Sequence, residues 1–228
     1  MNDRDFSISV LIPAYNAAAY LAEAVESVLG QSMKPVEVVV LDDGSTDATY
    51  EVLRGFGEHI RLLGPERRGF VRARNYLLEQ ARCDWIAFQD ADDVWQPHKL
   101  ERQVAFLQAN PEHDGCLALA EQFLAPGCVL PPTFRQSLLA KPTAQFFIPN
   151  LLVHRRVFDR IGAFDVSNPR GADSDWFVRA KDAGIDFPVV PEVLYRRRWH
   201  DSNLSWQFPF TTSMLDILRR SVRRKRGE

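Results

Sequence analysis

Val36-Glu37-Val38-Val39-Val40-Leu41-Asp42-Asp43-Gly44-Ser45-Thr46-Asp47 is the stretch on which the fold turns. Residues 36–41 are almost wholly apolar, as expected of a strand covered on both faces inside a parallel sheet. The run ends in two acids and a glycine that permits a tight turn, and Ser45 or Thr46 stands where it can cap a following helix carrying Tyr50, Leu53 and Phe56. The same unit recurs on either side. Residues 8–12 read as a strand stopped by Pro13, with the loop Pro13-Ala14-Tyr15-Asn16 and a helix carrying Leu21, Ala24, Val25, Val28 and Leu29. Downstream come a strand over 60–63, a loop through Arg67-Arg68-Gly69, a helix over 71–81 and a strand over 84–88. Strand alternating with helix predicts an α/β chain with a doubly wound, mostly parallel sheet flanked by helices. Ligands bind such sheets beyond the carboxyl ends of the strands, so three polar loops should converge on one crevice.

The second half is less regular. A helix over 97–109 and a strand over 116–120 are expected, and the prolines at 126, 131, 132 and 142 point to irregular connections over 123–145. Order should return over 146–153, with a short helix through Val157 and Phe158 and a longer one over 175–183 closed by Gly184. Residues 189–190 and 193–195 read as closing strands before the charged run Arg196-Arg197-Arg198-Trp199-His200. The expected division is one domain over 1–205, with a first half to about 110 and a second over 111–205, then a basic amphipathic segment over 206–228.

The composition is that of a globular chain: 228 residues, 46% hydrophobic and 25% charged. The net charge of −2 hides an asymmetry, because the last ten residues carry six Lys or Arg and one Glu, leaving 22 basic against 29 acidic residues in the body. An acidic body argues against a nucleic-acid partner. The basic end reads either as a contact with an anionic membrane surface or as a helix packed on the domain. Cys83, Cys116 and Cys128 are widely spaced with no C-x-x-C pair, so a zinc site and a disulfide framework are not indicated and a cytoplasmic setting is expected, peripheral to the inner membrane face if the basic end binds lipid.

Two acidic clusters carry the chemistry: Asp90-Ala91-Asp92-Asp93 after the apolar run Trp85-Ile86-Ala87-Phe88, and Asp173-Ser174-Asp175 before Trp176 and Phe177. Gathered carboxylates repel, and at the end of a buried strand they are tolerable mainly when a cation neutralises them. Hard oxygen ligands suit Mn²⁺ or Mg²⁺, ions that commonly accompany a diphosphate. Asp93 and Asp175 can also be read as helix-capping residues, and Asp42 as a loop-bracing one.

Taken in order, Val10-Leu11-Ile12-Pro13-Ala14-Tyr15-Asn16, Val40-Leu41-Asp42-Asp43-Gly44-Ser45-Thr46-Asp47, Arg72-Ala73-Arg74-Asn75 and Asp90-Ala91-Asp92-Asp93 resemble the family 2 glycosyltransferases with the GT-A fold, over roughly residues 6–200. The resemblance implies inverting transfer from a nucleotide-diphosphate sugar, a UDP-sugar favoured, to a saccharide, lipid-linked or other hydroxyl acceptor. Pro13, Ala14, Tyr15, Asn16 and Asp43 would line the nucleoside pocket, Asp43 accepting from a base N–H. Arg74 would face the diphosphate. Asp90, Ala91 and Asp92 match the aspartate motif, with Asp92 or Asp93 on the metal. Asp173 would be the catalytic base, and His200 a late metal or diphosphate contact.

One departure stands out, since Ala172 occupies a position where many relatives carry Glu. It leaves open a catalytically weakened, sugar-nucleotide-binding or partner-recruiting relative. A sugar nucleotidyltransferase is disfavoured, because Pro13-Ala14-Tyr15-Asn16 is no glycine-rich phosphate loop.

Overall fold

The computed structural model describes residues 6–131, 134, 136–144, 146–169, 171–203 and 211–226. In chain order the elements are β1 (Ile8–Ala14), α1 (Leu21–Leu29), β2 (Glu37–Asp42), α2 (Thr49–Arg54), β3 (Arg61–Leu63), α3 (Phe70–Gln80), β4 (Trp85–Phe88), β5 (Val94–Trp95), α4 (Lys99–Ala109) and β6 (Gly115–Leu124). They continue with α5 (Ser137–Ala140), β7 (Thr143–Ala144), β8 (Leu152–His154), α6 (Arg156–Ile161), α7 (Ala172–Asp182), β9 (Val189–Trp199) and α8 (Thr211–Arg226). The strands join in the order β3-β2-β1-β4-β8-β6-β9-β5, with β7 pairing onto β6. The β3-β2-β1-β4 block is parallel, β8 is antiparallel between β4 and β6, and β6 with β9 is parallel again.

Period-two alternation divides the apolar strands between two cores. Val10, Ile12, Val38 and Val40 face α1 and α4 through Leu21, Val25, Leu100 and Val104. Leu11, Val39, Leu41, Ile86 and Phe88 face α3, α6 and α7 through Val71, Leu77, Phe158 and Trp176. Burial on both faces explains why β2 lacks polar alternation, and the helices on either side make the sheet doubly wound. Because β1, β2 and β4 are parallel neighbours, their carboxyl ends open along one edge.

Four local expectations are corrected. Pro13 does not stop β1, which runs to Ala14 and pairs Pro13 with Leu41 and Ala14 with Asp42. Pairing with β4 ends at Leu11 and Phe88, so the missing Pro13 N–H falls beyond the last β4 partner. Neither Ser45 nor Thr46 caps α2; Asp47 Oδ1 accepts the Thr49 N–H at 3.0 Å, while Ser45 and Thr46 bond to Asn16. The helix expected over 175–183 begins at Ala172, so Asp175 caps nothing and its Oδ2 instead accepts from Arg179 Nε at 2.7 Å. The two closing strands are one, β9, which carries the charged run to Trp199 across a register shift.

At the carboxyl end α8 packs on α7. Ile217 is fully buried, Ser221 donates to Asp182 at 2.8 Å, and Arg220 and Arg224 reach Asp165 and Asp182. Leu215, Leu218 and Val222 remain exposed on its outer side. No described helix is long and apolar enough to cross a membrane.

Lys99, the first residue of α4, is fully buried, with Nζ 2.7 Å from Gln103 Oε1 and 4.3 Å from the Trp95 ring centroid. Burial lowers its ammonium from 10.5 to about 7. Between those values the unfolded chain holds a proton that the folded one has released, so Lys99 makes stability rise with pH from about 7 upward, by at most about 1.4 kcal/mol per pH unit. Lys99→Met should therefore stabilise the protein by about 1–2 kcal/mol at pH 7, the relieved desolvation outweighing the partner lost by Gln103. Urea melts of both proteins at pH 7 and 9 should show the gap closing as pH rises; parallel stabilities would place the proton elsewhere.

Candidate active site

The carboxyl ends of β1, β2 and β4 present Tyr15 and Asn16, Asp43, and Asp90 to Asp93 side by side. The first two loops are bonded to each other. Asn16, in the left-handed region at φ 47°, takes the Thr46 N–H on Oδ1 at 2.8 Å and donates its own N–H to Ser45 Oγ at 3.0 Å. Asp42 Oδ1 accepts the Ser45 N–H at 3.0 Å, which braces the turn. Asp43 is buried and turns into the loop after β3: Oδ1 accepts the Arg68 N–H at 2.6 Å, Oδ2 the Gly69 N–H at 2.9 Å, and the Arg67 guanidinium also donates to Oδ2. Pro13 and Ala14 are buried as the last residues of β1, and Tyr15 is exposed beside them.

In the acidic loop each carboxylate has a different surrounding. Asp93 is buried and committed to the fold, with Oδ2 accepting the Tyr195 hydroxyl at 2.6 Å and Oδ1 the Arg198 N–H at 2.6 Å. It caps no helix. Burial, then the charges of Asp92 and Asp90, push its carboxyl well above the ordinary range. Asp90 is also raised, by burial first, with Arg74 opposing and Asp92 adding. Asp92 Oδ2 accepts from His200 Nε2 at 2.9 Å and from Asn203 Nδ2 at 3.2 Å, while among the described residues no hydrogen bond reaches Oδ1. His200 is set by Asn203 Oδ1, which accepts its N–H at 2.6 Å, and by the Tyr20 ring at 4.6 Å. Ala91 is buried in the turn between Asp90 and Asp92.

Asp173 reaches the same place from the other core. It sits in the first turn of α7, a helix anchored by the fully buried Trp176 and by Arg179, which donates to the carbonyls of Ile161, Gly162 and Ala163. Its Oδ2 accepts the Ile148 N–H at 3.1 Å. Arg74 Nη1 donates to Asp173 Oδ1 at 2.7 Å and Nη2 to Asp90 Oδ1 at 2.8 Å, so one guanidinium, 2% exposed, spans the two acidic clusters. The two clusters meet at one guanidinium.

The family model for glycosyl transferase family 2 matches residues 9–127, which span β1 to the end of β6. The chain belongs to glycosyl transferase family 2. An uncharacterized glycosyltransferase of Rickettsia felis is 31% identical over 207 residues, covering 85% of this chain and 34% of that protein. The putative glycosyltransferase EpsE of Bacillus subtilis is 29% identical over 218 residues, covering 91% and 78%. The chain thus spans about a third of the Rickettsia felis protein. Among solved structures, S. aureus TarS in complex with UDP-GlcNAc superposes with a TM-score of 0.70 at 20% identity, covering 92% of this chain and 65% of that one. The mannosyltransferase PcManGT of Pyrobaculum calidifontis, in complex with GDP-Man and Mn²⁺, gives 0.68 at 23%, covering 95% and 64%. Those likenesses establish the GT-A type of fold.

Within this family 2 chain the donor set fits a hard divalent cation. One carboxylate oxygen each of Asp90, Asp92 and Asp93 lies within 4.8 Å of the others, and the upward pressure on Asp90 and Asp93 is of the kind that a bound cation relieves. With both Asp93 oxygens engaged, Asp92 is the better placed to turn a free oxygen to an ion, with His200 beside it. Sequence reasoning placed Arg74 against a diphosphate, whereas its guanidinium is enclosed between Asp90 and Asp173. It missed Tyr195 and Asn203, which hold Asp93 and Asp92, because those bonds span 102 and 111 residues and leave no local pattern.

Proposed function

We propose that the chain is an inverting glycosyltransferase that moves a sugar from a nucleotide-diphosphate donor, a UDP-sugar favoured, to an acceptor hydroxyl. One observation carries this reading: Arg74 joins Asp90 and Asp173 across 2.8 and 2.7 Å, placing a candidate base beside the candidate metal cluster. Tyr15 offers an exposed ring for a base, and an ionised Asp43 can only accept, which favours uracil or guanine over bases that present a ring acceptor at that edge. The UDP-GlcNAc of TarS and the GDP-Man of PcManGT agree with such a pocket.

Asp92 with His200, and Asp90 across the loop, would hold Mn²⁺ or Mg²⁺, which when bound supplies a Lewis acid that stabilises a leaving diphosphate. Asp173 accepts the proton of the acceptor hydroxyl as its oxygen forms a bond to the anomeric carbon on the face opposite the departing nucleotide. Arg74 keeps the Asp173 carboxylate turned into the cleft, and the Ile148 N–H fixes its second oxygen. Tyr195, Asn203 and the Arg198 N–H hold the aspartate loop against repulsion among its own charges.

Thermal shift against a panel of nucleotide sugars with Mn²⁺ tests the reading. A uracil- or guanine-diphosphate sugar at a hundredfold above its dissociation constant should stabilise by about 2.7 kcal/mol, several degrees in Tm, and cytosine and adenine counterparts by much less. Shifts blind to the base would remove the role given to Asp43. Selective stabilisation without release of nucleotide diphosphate would favour the binding-only alternative suggested by Ala172.

A further inference from the structure

The proposed nucleoside pocket holds a side chain of its own. The Arg67 guanidinium lies over the Tyr15 ring with Cζ 3.7 Å from the centroid, and its Nη1 donates to Asp43 Oδ2. Tyr15 and Arg67 are both about half exposed, whereas the Asp43 side chain is 3% exposed. A planar group stacked on an aromatic face, with an edge N–H directed at a buried carboxylate, makes the two contacts proposed above for a nucleobase. We propose that Arg67 occupies the nucleobase subsite and competes with the base of the donor, so that donor binding requires its guanidinium to leave Tyr15 and Asp43. The inference rests on the nucleoside role given to Tyr15 and Asp43.

The physical reason lies in Asp43. A buried carboxylate without a compensating donor is costly, and its two backbone N–H contacts leave room for one more. Arg67 supplies that donor from within the chain, and the N–H of a bound base would take its place. The backbone beneath is braced, while the side chain is half exposed. Gly44, at φ +73°, lies so close that a Cβ there would stand 3.1 Å from the Arg67 Cβ, and the Arg68 and Gly69 N–H groups hold the loop to Asp43. The flanking Arg68 is engaged away from the pocket, on Glu66 at 2.6 Å and over the Tyr76 ring at 4.1 Å. Exchange of one exposed side chain therefore suffices, with no movement of the loop.

Calorimetric titration of UDP and of uridine into wild type and Arg67→Ala, both with Mn²⁺, tests the competition. Removing an exposed ion pair and its stacking contact should tighten both ligands by about three- to tenfold, uridine included because it lacks the phosphates that an arginine would otherwise attract. Ligand-free melts verify folding, and Arg67→Gln, which cannot compensate the Asp43 charge, should shift affinity the same way if the alanine protein is unstable. Unchanged or weakened affinity in the variants overturns the proposal, the weakened case making Arg67 a donor contact. If neither wild type nor variant binds any nucleotide, the nucleoside pocket itself is misassigned, and the competition falls with it.

Discussion

Asp173→Asn should lower sugar transfer by about 10³-fold while leaving UDP affinity within about twofold of wild type. Asparagine keeps the shape of the side chain, and its single oxygen can keep the bond from the Ile148 N–H while the one from Arg74 is lost; Trp176 and Arg179 still hold the first turn of α7 in place. What it cannot do is take a proton from an attacking hydroxyl. Arg74 loses one of its two carboxylate partners but keeps Asp90, so the buried guanidinium is not left without a counter-charge. Steady-state transfer and UDP calorimetry on the same preparation separate the two effects. Turnover within tenfold of wild type would move the base elsewhere, and a parallel loss of UDP affinity would make Asp173 a structural partner of Arg74.

Much of this architecture can be read from local sequence, and the exceptions have physical causes. The apolar run of β2 needs only burial on both faces to be recognised, and the acids that end β2 and β4 stand out because nothing local neutralises them. The strand β9 is different. Its arginines read only as a charged run beyond the closing strands, yet Arg196 pairs with Glu121 at 2.6 Å, and Arg198 reaches the Asp92 carbonyl at 2.8 Å with its Cζ 4.6 Å from the Phe123 ring centroid. Partners up to 175 residues away turn a polar segment into a largely buried strand, and no periodicity announces them. The same applies to Arg74, whose bond to Asp173 spans 99 residues and decides whether the two acidic clusters form one site or two. Residues 123–145 defeated pattern reading because β6 runs on to Leu124 and the two-residue β7 is defined only by its pairing with β6. Arg67 was visible only as part of a loop; its position over Tyr15 depends on how Gly44 and Asp43 seat that loop.

Asp92→Ala is expected to have the second large effect, because this carboxylate combines an oxygen braced by His200 and Asn203 with one that no described group occupies. His200 and Asn203 hold Oδ2, so Oδ1 is oriented before any ligand arrives, which spares the cost of ordering it on binding. Alanine removes the proposed metal ligand and the Asp92 bonds to both residues, but not the Asp93 bonds to Tyr195 and Arg198 on which the loop depends. Calorimetric titration of UDP into wild type and Asp92→Ala, each with Mn²⁺ and again with a chelator, measures the claim that these acids hold a cation for a diphosphate. Wild type should lose at least about tenfold in affinity, or about 1.4 kcal/mol, when the metal is removed, and the variant should bind weakly and alike in both conditions. Equal UDP affinity of the wild type with and without Mn²⁺ would contradict it.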